Sequence, residues 1–328
     1  MLSSQFSRNI CHYIALSSAF AASAFILNNF LTHIFALPGL YGTLNAVGFS
    51  FDTPEDTYGG FALFIGIFQS LTYVAALVYP YMILRSQSAA PRSSALMNNA
   101  AARIVSAAFW AVMLIGIVDA AISFVRIENM LPSIVGADLA LSLGKPSFRG
   151  VYVHMPLLFA GIAISFMRRG VDFIWLASLI VFGELLIVIT RFIFSYEQAF
   201  MGDLVRFWYA ALFLFASAYT LKEDGHVRVD VFYAGLERRT KSILNTIGTL
   251  FFGIPLCWLI LIRGMWGKSS LINSPMMNFE TSMSGFGMYV KYLMAAFLII
   301  FALSMIFQFT AYLLNSMADI EEKITDDV

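Results

Sequence analysis

The chain has 328 residues, of which 59% are apolar, 16% aromatic and 12% charged, and its 20 basic residues match its 20 acidic ones. Soluble chains carry about 25% charged residues, so this one cannot clothe a water-facing surface, and without a basic surplus it has no nucleic-acid-binding face. The two cysteines, Cys11 and Cys257, lie in apolar runs and indicate neither a disulfide framework nor a thiolate metal site. Composition points to a polytopic membrane protein.

A helical crossing takes about 20 mainly apolar residues, because hydrocarbon offers no partners to unpaired backbone groups. Eight stretches qualify, and they predict an all-α fold. The first lies near residues 10–35, within the uncharged stretch 9–51. A signal peptide is its rival reading, with Arg8 as the positive leader and Ala22-Ser23-Ala24 as the cleavage site. The apolar block before that site is broken by His12, Ser17 and Ser18, and a retained helix is the stronger reading.

The second stretch, 58–84, holds no charge and is followed by a polar, small-residue segment, 86–99, predicted as a loop. The third, 103–124, is interrupted by Asp119, and a long, largely apolar outer segment, 126–149, leads to the fourth. That one, 150–167, is short and carries His154 and Pro156, whereas the fifth, 173–194, carries Glu184 and Arg191. The sixth, 207–221, is short unless the turn before it is included. The turn, 195–203, mixes Tyr196, Phe200 and Met201 with Glu197, Gln198 and Asp203, and suits a short interfacial helix. A charged loop, 222–241, precedes the last two stretches, 242–262 and 292–318.

Basic residues gather in cytoplasmic loops. With both termini cytoplasmic, that side receives Arg8, Arg85, Arg92, Arg103, Arg168, Arg169, Lys222, Arg228, Arg238, Arg239, Lys241 and Lys323, which is 12 of the 20.

Ionisable groups at bilayer depth are few. Asp119 follows Gly116 and precedes Ala120 and Ala121, small residues that let helices approach, so a bond across helices is its bland reading and a transport site its functional one. Glu184 is central in its span; a lone acid there is costly unless satisfied, which favours a structural or interface role over a coupling-ion site. Arg191 lies two helical turns on, roughly 10.5 Å along the axis, where its long stem can reach headgroups or a partner carboxylate. Asp203 suits either a helix N-terminus or a subunit contact. No cofactor is expected. A membrane haem takes two facing axial ligands; His12 and His33 are about 31 Å apart along one helix, and His154 has no paired pattern. There is no Walker loop, zinc helix motif or nucleophile elbow to suggest an enzyme.

After residue 168 the sequence carries an ordered set of signals. Arg191-Phe192-Ile193-Phe194 closes one helix, and Gly202-Asp203-Leu204-Val205-Arg206-Phe207 opens the next. The loop after it contains Gly225-His226-Val227-Arg228-Val229-Asp230. This set resembles the small permease subunit of TRAP transporters, the DctQ-like family. There a helix ends near Arg-Tyr-hydrophobic-Phe, and a Trp-x-Glu-Glu-Leu-x-Arg-Tyr turn follows. A second helix then leads to a Gly-His-hydrophobic-x-hydrophobic-Asp loop. The resemblance covers about 168–319. Phe200 stands where the family has Trp, Gly202 replaces the first acid, and Asp203 alone retains the pair.

The resemblance implies a scaffold subunit of a sodium-coupled organic-acid importer in the inner membrane. Its partners would be a large elevator-type permease (DctM-like) and a periplasmic solute-binding protein (DctP-like), within membrane lipid. Residues 168–328 would form the four-helix small permease domain, and 1–167 an added four-helix module. Glu184, Arg191, Asp203, Arg206, His226, Arg228 and Asp230 become candidates for the subunit interface. Two other readings stay open at this point: a self-sufficient secondary transporter using Glu184, Arg191 and Asp119, and the membrane anchor of a redox complex.

Overall fold

The computed structural model describes residues 5–49, 58–85, 89–167, 173–196, 198–223, 233–282 and 287–326. Among these residues there is no strand, and eight helices are long and apolar enough to cross a membrane: Asn9–Ile34, Gly60–Leu84, Arg92–Ile127, Pro146–Met167, Phe173–Ile193, Ala199–Lys222, Arg238–Met265 and Lys291–Ala318. The all-α fold and the number of spans agree with the hydropathy of the sequence.

Several spans are longer than their hydropathy predicts; the seventh begins at Arg238 and takes the end of the expected 222–241 loop, and the extensions of the third and sixth also correct the segments before them. The third helix runs Ala89–Ile127 and absorbs most of the expected 86–99 loop. Alanine, the best helix former, recurs through it, and two of its polar residues, Ser93 and Ser94, are buried, with the Ser94 hydroxyl donating to Asn315 Oδ1 at 2.6 Å. The sixth helix begins at Ala199, so residues 199–203 continue into the span instead of forming a separate interfacial helix. Phe200 is buried there and meets Phe124 edge-on at 6.4 Å, which ties the turn to protein rather than to headgroups. The outer segment after the third span folds into short helices at Leu131–Val135, Ala137–Leu143 and Pro146–Arg149.

The chain divides into two compact units, Met1–Ala101 with Leu221–Ser270 and Met305–Val328, and Ala102–Thr220 with Leu271–Ser304. Each draws segments from both sides of residue 168.

In the first unit the N-terminal span is the centre of packing. Ala15, Ala19 and Ala22, spaced for one helical face, are fully buried. Small side chains permit the close approach that lipid-embedded helices rely on. Cys11 and Ala15 share a core with Ile254, Leu313 and Met317. Polar groups bond across the helices: Trp258 Nε1 donates to Ser18 Oγ at 2.7 Å, Thr310 Oγ1 to the Ala15 carbonyl at 3.1 Å, and Asn28 Nδ2 to Thr72 Oγ1 at 2.8 Å. Gln69, fully buried, accepts from the Gly39 N–H at 3.1 Å.

In the second unit glycines set the spacing. Gly161 of the fourth span lies against the Ala111 backbone of the third, and the Trp208 indole of the sixth span lies against Gly116. Phe297 is packed between Phe207 and Phe215, with ring centroids 5.2 and 5.0 Å away. Burial differs widely between spans. In the fifth span 11% of the most apolar window is buried, against 56% in the eighth.

A Cβ at position 161 would stand 2.5 Å from the Ala111 nitrogen. Overpacking of this kind costs about 1–3 kcal/mol. Gly161→Leu is expected to lower the thermal unfolding midpoint of the purified protein by several degrees, while Gly202→Ala, which meets nothing within 4 Å, does not. An unchanged midpoint for Gly161→Leu would contradict the tight contact between the third and fourth spans.

Candidate functional site

Two features of the second unit stand out: a buried charge cluster and an exposed acid on an open helix.

The cluster is built on Asp119, well inside the third span and fully buried. One carboxylate oxygen, Oδ1, accepts from Arg149 Nη1 at 2.9 Å and from His154 Nε2 at 3.0 Å, while Oδ2 accepts from the Tyr289 N–H at 3.0 Å. Arg149 is itself fully buried; Nη1 also donates to Ser123 Oγ at 3.0 Å and Nε to the Leu143 carbonyl at 3.1 Å. Its guanidinium lies over the Tyr289 ring, 4.3 Å from the centroid, and Nη2 is buried with no hydrogen-bond partner among the described residues. Arg126 approaches the same ring at 4.7 Å and donates to the Tyr289 hydroxyl, which in turn donates to the Gly144 carbonyl at 2.9 Å.

His154 completes the network. A carboxylate has no proton to give, so the tautomer that satisfies every group carries its proton on Nε2 and accepts from the Tyr292 hydroxyl at Nδ1, 2.8 Å away. Local chain geometry aims the ring. Residues Gly150–His154 form a π turn, whose extra residue per turn resets the rotation of the fourth span just before Met155–Met167. Gly150 admits the Phe279 ring where any Cβ would collide with it.

Below the cluster's tyrosines the chain is tied a second time. Glu128, just past the third span, accepts from the Tyr196 hydroxyl at 2.7 Å and from Gln198 Nε2 at 2.8 Å. These bonds, the Tyr196 one foremost, hold the Glu128 carboxyl below its ordinary range. Such bonds between 119–154 and 196–292 join the N-terminal helices to the C-terminal ones with charge as well as with packing.

Glu184 is different. It lies at the middle of Phe173–Ile193, a helix of 21 residues in which Leu176 and Gly183 are the buried ones, and its side chain is exposed. Arg191 is exposed toward the end of the same helix. Asp203 does not cap its own helix: its Oδ2 accepts from Ser282 Oγ at 2.8 Å and from the Met288 N–H at 3.2 Å. Arg206 stands exposed beside it, with Nη1 3.6 Å from Asp203 Oδ1, while the adjacent Phe207 is fully buried. His226, Arg228 and Asp230 lie outside the described residues.

The structure thus brings Asp119 together with two residues that sequence reasoning assigned elsewhere: Arg149, the last residue of the segment 126–149 expected to lie outside, and His154, weighed as a haem ligand. It does not bring Asp119 near a group of three or more histidine, cysteine or acidic ligands; no such group occurs among the described residues.

Removing one partner of a buried ion pair costs about 3–5 kcal/mol, whereas an apolar replacement of the pair is often neutral. Asp119→Asn is therefore expected to destabilise the folded protein by about that amount, and the double variant Asp119→Leu with Arg149→Met to recover most of it. Denaturant or thermal unfolding in a fixed detergent measures both. Equal loss in the single and double variants would show that Arg149 is not held by charge.

Residues 178–317 match the family described as Tripartite ATP-independent periplasmic transporters, DctQ component. The match begins within the fifth span and ends in the eighth, and it contains Glu184, Asp203, Tyr289 and Tyr292 but not Asp119, Arg149 or His154. No curated protein and no solved structure shows significant similarity to the chain. Residues 178–317 are thus similar to the DctQ component of TRAP transporters, and further membrane-spanning helices precede them.

Proposed function

We propose that this subunit is the static brace of a sodium-coupled organic-acid importer, set in the inner membrane with both termini cytoplasmic. A large DctM-like permease carries the cargo by an elevator motion against it, and a periplasmic DctP-like binding protein delivers that cargo. Residues 1–167 act as an added module that widens the lipid anchorage, and 168–328 form the part that meets the permease.

The observation that carries this reading is the fifth span. Its apolar girdle is open nearly all round, which lipid alone could cover, but Glu184 is exposed in the middle of it. An exposed carboxylate at bilayer depth costs several kcal/mol unless a polar partner meets it. A neighbouring membrane protein supplies such a partner. Arg191 on the same helix, and Asp203 with Arg206 at the start of the sixth span, extend the proposed contact. The charged loop with His226, Arg228 and Asp230 serves as its cytoplasmic arm.

A self-sufficient transporter has less to work with. Asp119, the deepest-buried acid, is already matched by Arg149 and His154, and a carboxylate so occupied has no open site for a cargo cation.

Uptake in proteoliposomes separates the two. This chain together with the large permease, a sodium gradient and the binding protein is expected to accumulate an organic acid, and this chain alone is expected to accumulate none. Uptake by this chain alone, lost in Glu184→Gln, would overturn the proposal.

A further inference from the structure

The first compact unit carries an open cavity of about 790 Å³, within the roughly 300–1,000 Å³ range of small-molecule sites. It reaches from the end of the seventh span into the membrane. Lys268, three residues past Met265, lines its outer part with Trp266. Tyr73 lies at mid-span of the second helix, and Phe25 and Asn28 lie nine and six residues inside the end of the first. From His33 to Phe25 the cavity follows the first helix for about 12 Å. It therefore has a cationic, aromatic mouth and an apolar floor.

Two buried polar atoms in its wall have no partner among the described residues. Asn28 is buried and spends both Nδ2 donors, on the Ala24 carbonyl and on Thr72 Oγ1, each at 2.8 Å, which leaves Oδ1 unmatched. His33 Nδ1 is unmatched as well. Buried acceptors at bilayer depth are normally satisfied, so the cavity asks for an occupant that brings donors with it. Among the described lining residues Lys268 is the full cation, and a negatively charged group on the occupant would pair with it.

We propose that this cavity binds an anionic, hydroxyl-bearing amphiphile, with its acidic head beside Lys268, its hydroxyl donors toward Asn28 and His33, and its apolar body among Phe25, Tyr73 and Trp266. A membrane glycerolipid has this chemistry, and so does a free glycerol phosphate without the chains; the apolar floor favours the lipid. Of its described lining residues, Trp266 and Lys268 lie within the family-matched residues 178–317 and the others precede them, and the site does not depend on transport by the complex.

Native mass spectrometry of the full-length protein, titrated with phosphatidylglycerol, phosphatidylcholine or glycerol phosphate, tests it. Phosphatidylglycerol should be retained in preference to phosphatidylcholine, and glycerol phosphate should not be retained. Lys268→Gln should weaken phosphatidylglycerol binding roughly fivefold, the contribution of one cation near an anionic surface. Lys268→Arg should preserve binding, and Lys145→Gln, which is not among the cavity's lining residues, should not affect it. Equal retention of both lipids, or binding indifferent to Lys268→Gln, would overturn the proposal. So would retention of glycerol phosphate with the same dependence on Lys268, which would make the occupant a free anion.

Discussion

A charge inside hydrocarbon has to be met by another group, and this requirement organises the second compact unit. Asp119 meets it internally, through Arg149, His154 and the Tyr289 N–H. The geometry around it follows: a π turn that aims His154, a glycine that admits Phe279, and a tyrosine ring held between two guanidinium groups. Glu184 has the same need and no such cage around it, because the helix that carries it buries Leu176 and Gly183 and little else. One acid closes the fold, and the other leaves it open to a neighbour.

The cluster also joins helices that precede the family-matched segment to residues within it. Asp119, Arg149 and His154 precede the family-matched segment, while Tyr289 and Tyr292 lie within it. Buried charge pairs gain little net stability over apolar packing, but they are costly to separate. Such bonds fix which surfaces must stay together, and apolar contact alone does this poorly in lipid, where tails are as apolar as side chains.

Much of this was legible in the sequence. The eight spans follow from hydropathy, since each has to supply its own backbone partners, and the scarcity of intramembrane charge is a matter of counting. The ends of the third and sixth spans were not legible. Ser94 and Asp203 look like loop residues because their partners, Asn315 and Ser282, are far away in sequence. Arg149 was missed for the same reason: thirty residues separate it from Asp119, and no periodic pattern links a cation in a short outer helix to an acid in mid-span. The one available signal was the acid itself, since a lone intramembrane carboxylate requires a cation, and Arg149 stands where the fourth span begins. His154 showed only that it was polar and apart from other histidines, which fits a hydrogen-bonded structural role as well as any ligand role.

The central claim is that Glu184 faces protein and not lipid. Its most direct test is a photo-crosslinking amino acid at position 184, activated in native membranes that contain the whole transport system. A specific covalent adduct with the large permease is the expected result, absent when the crosslinker is moved to the buried Leu176 on the same helix. Labelling confined to lipid, with the permease present and transport intact, would contradict the account.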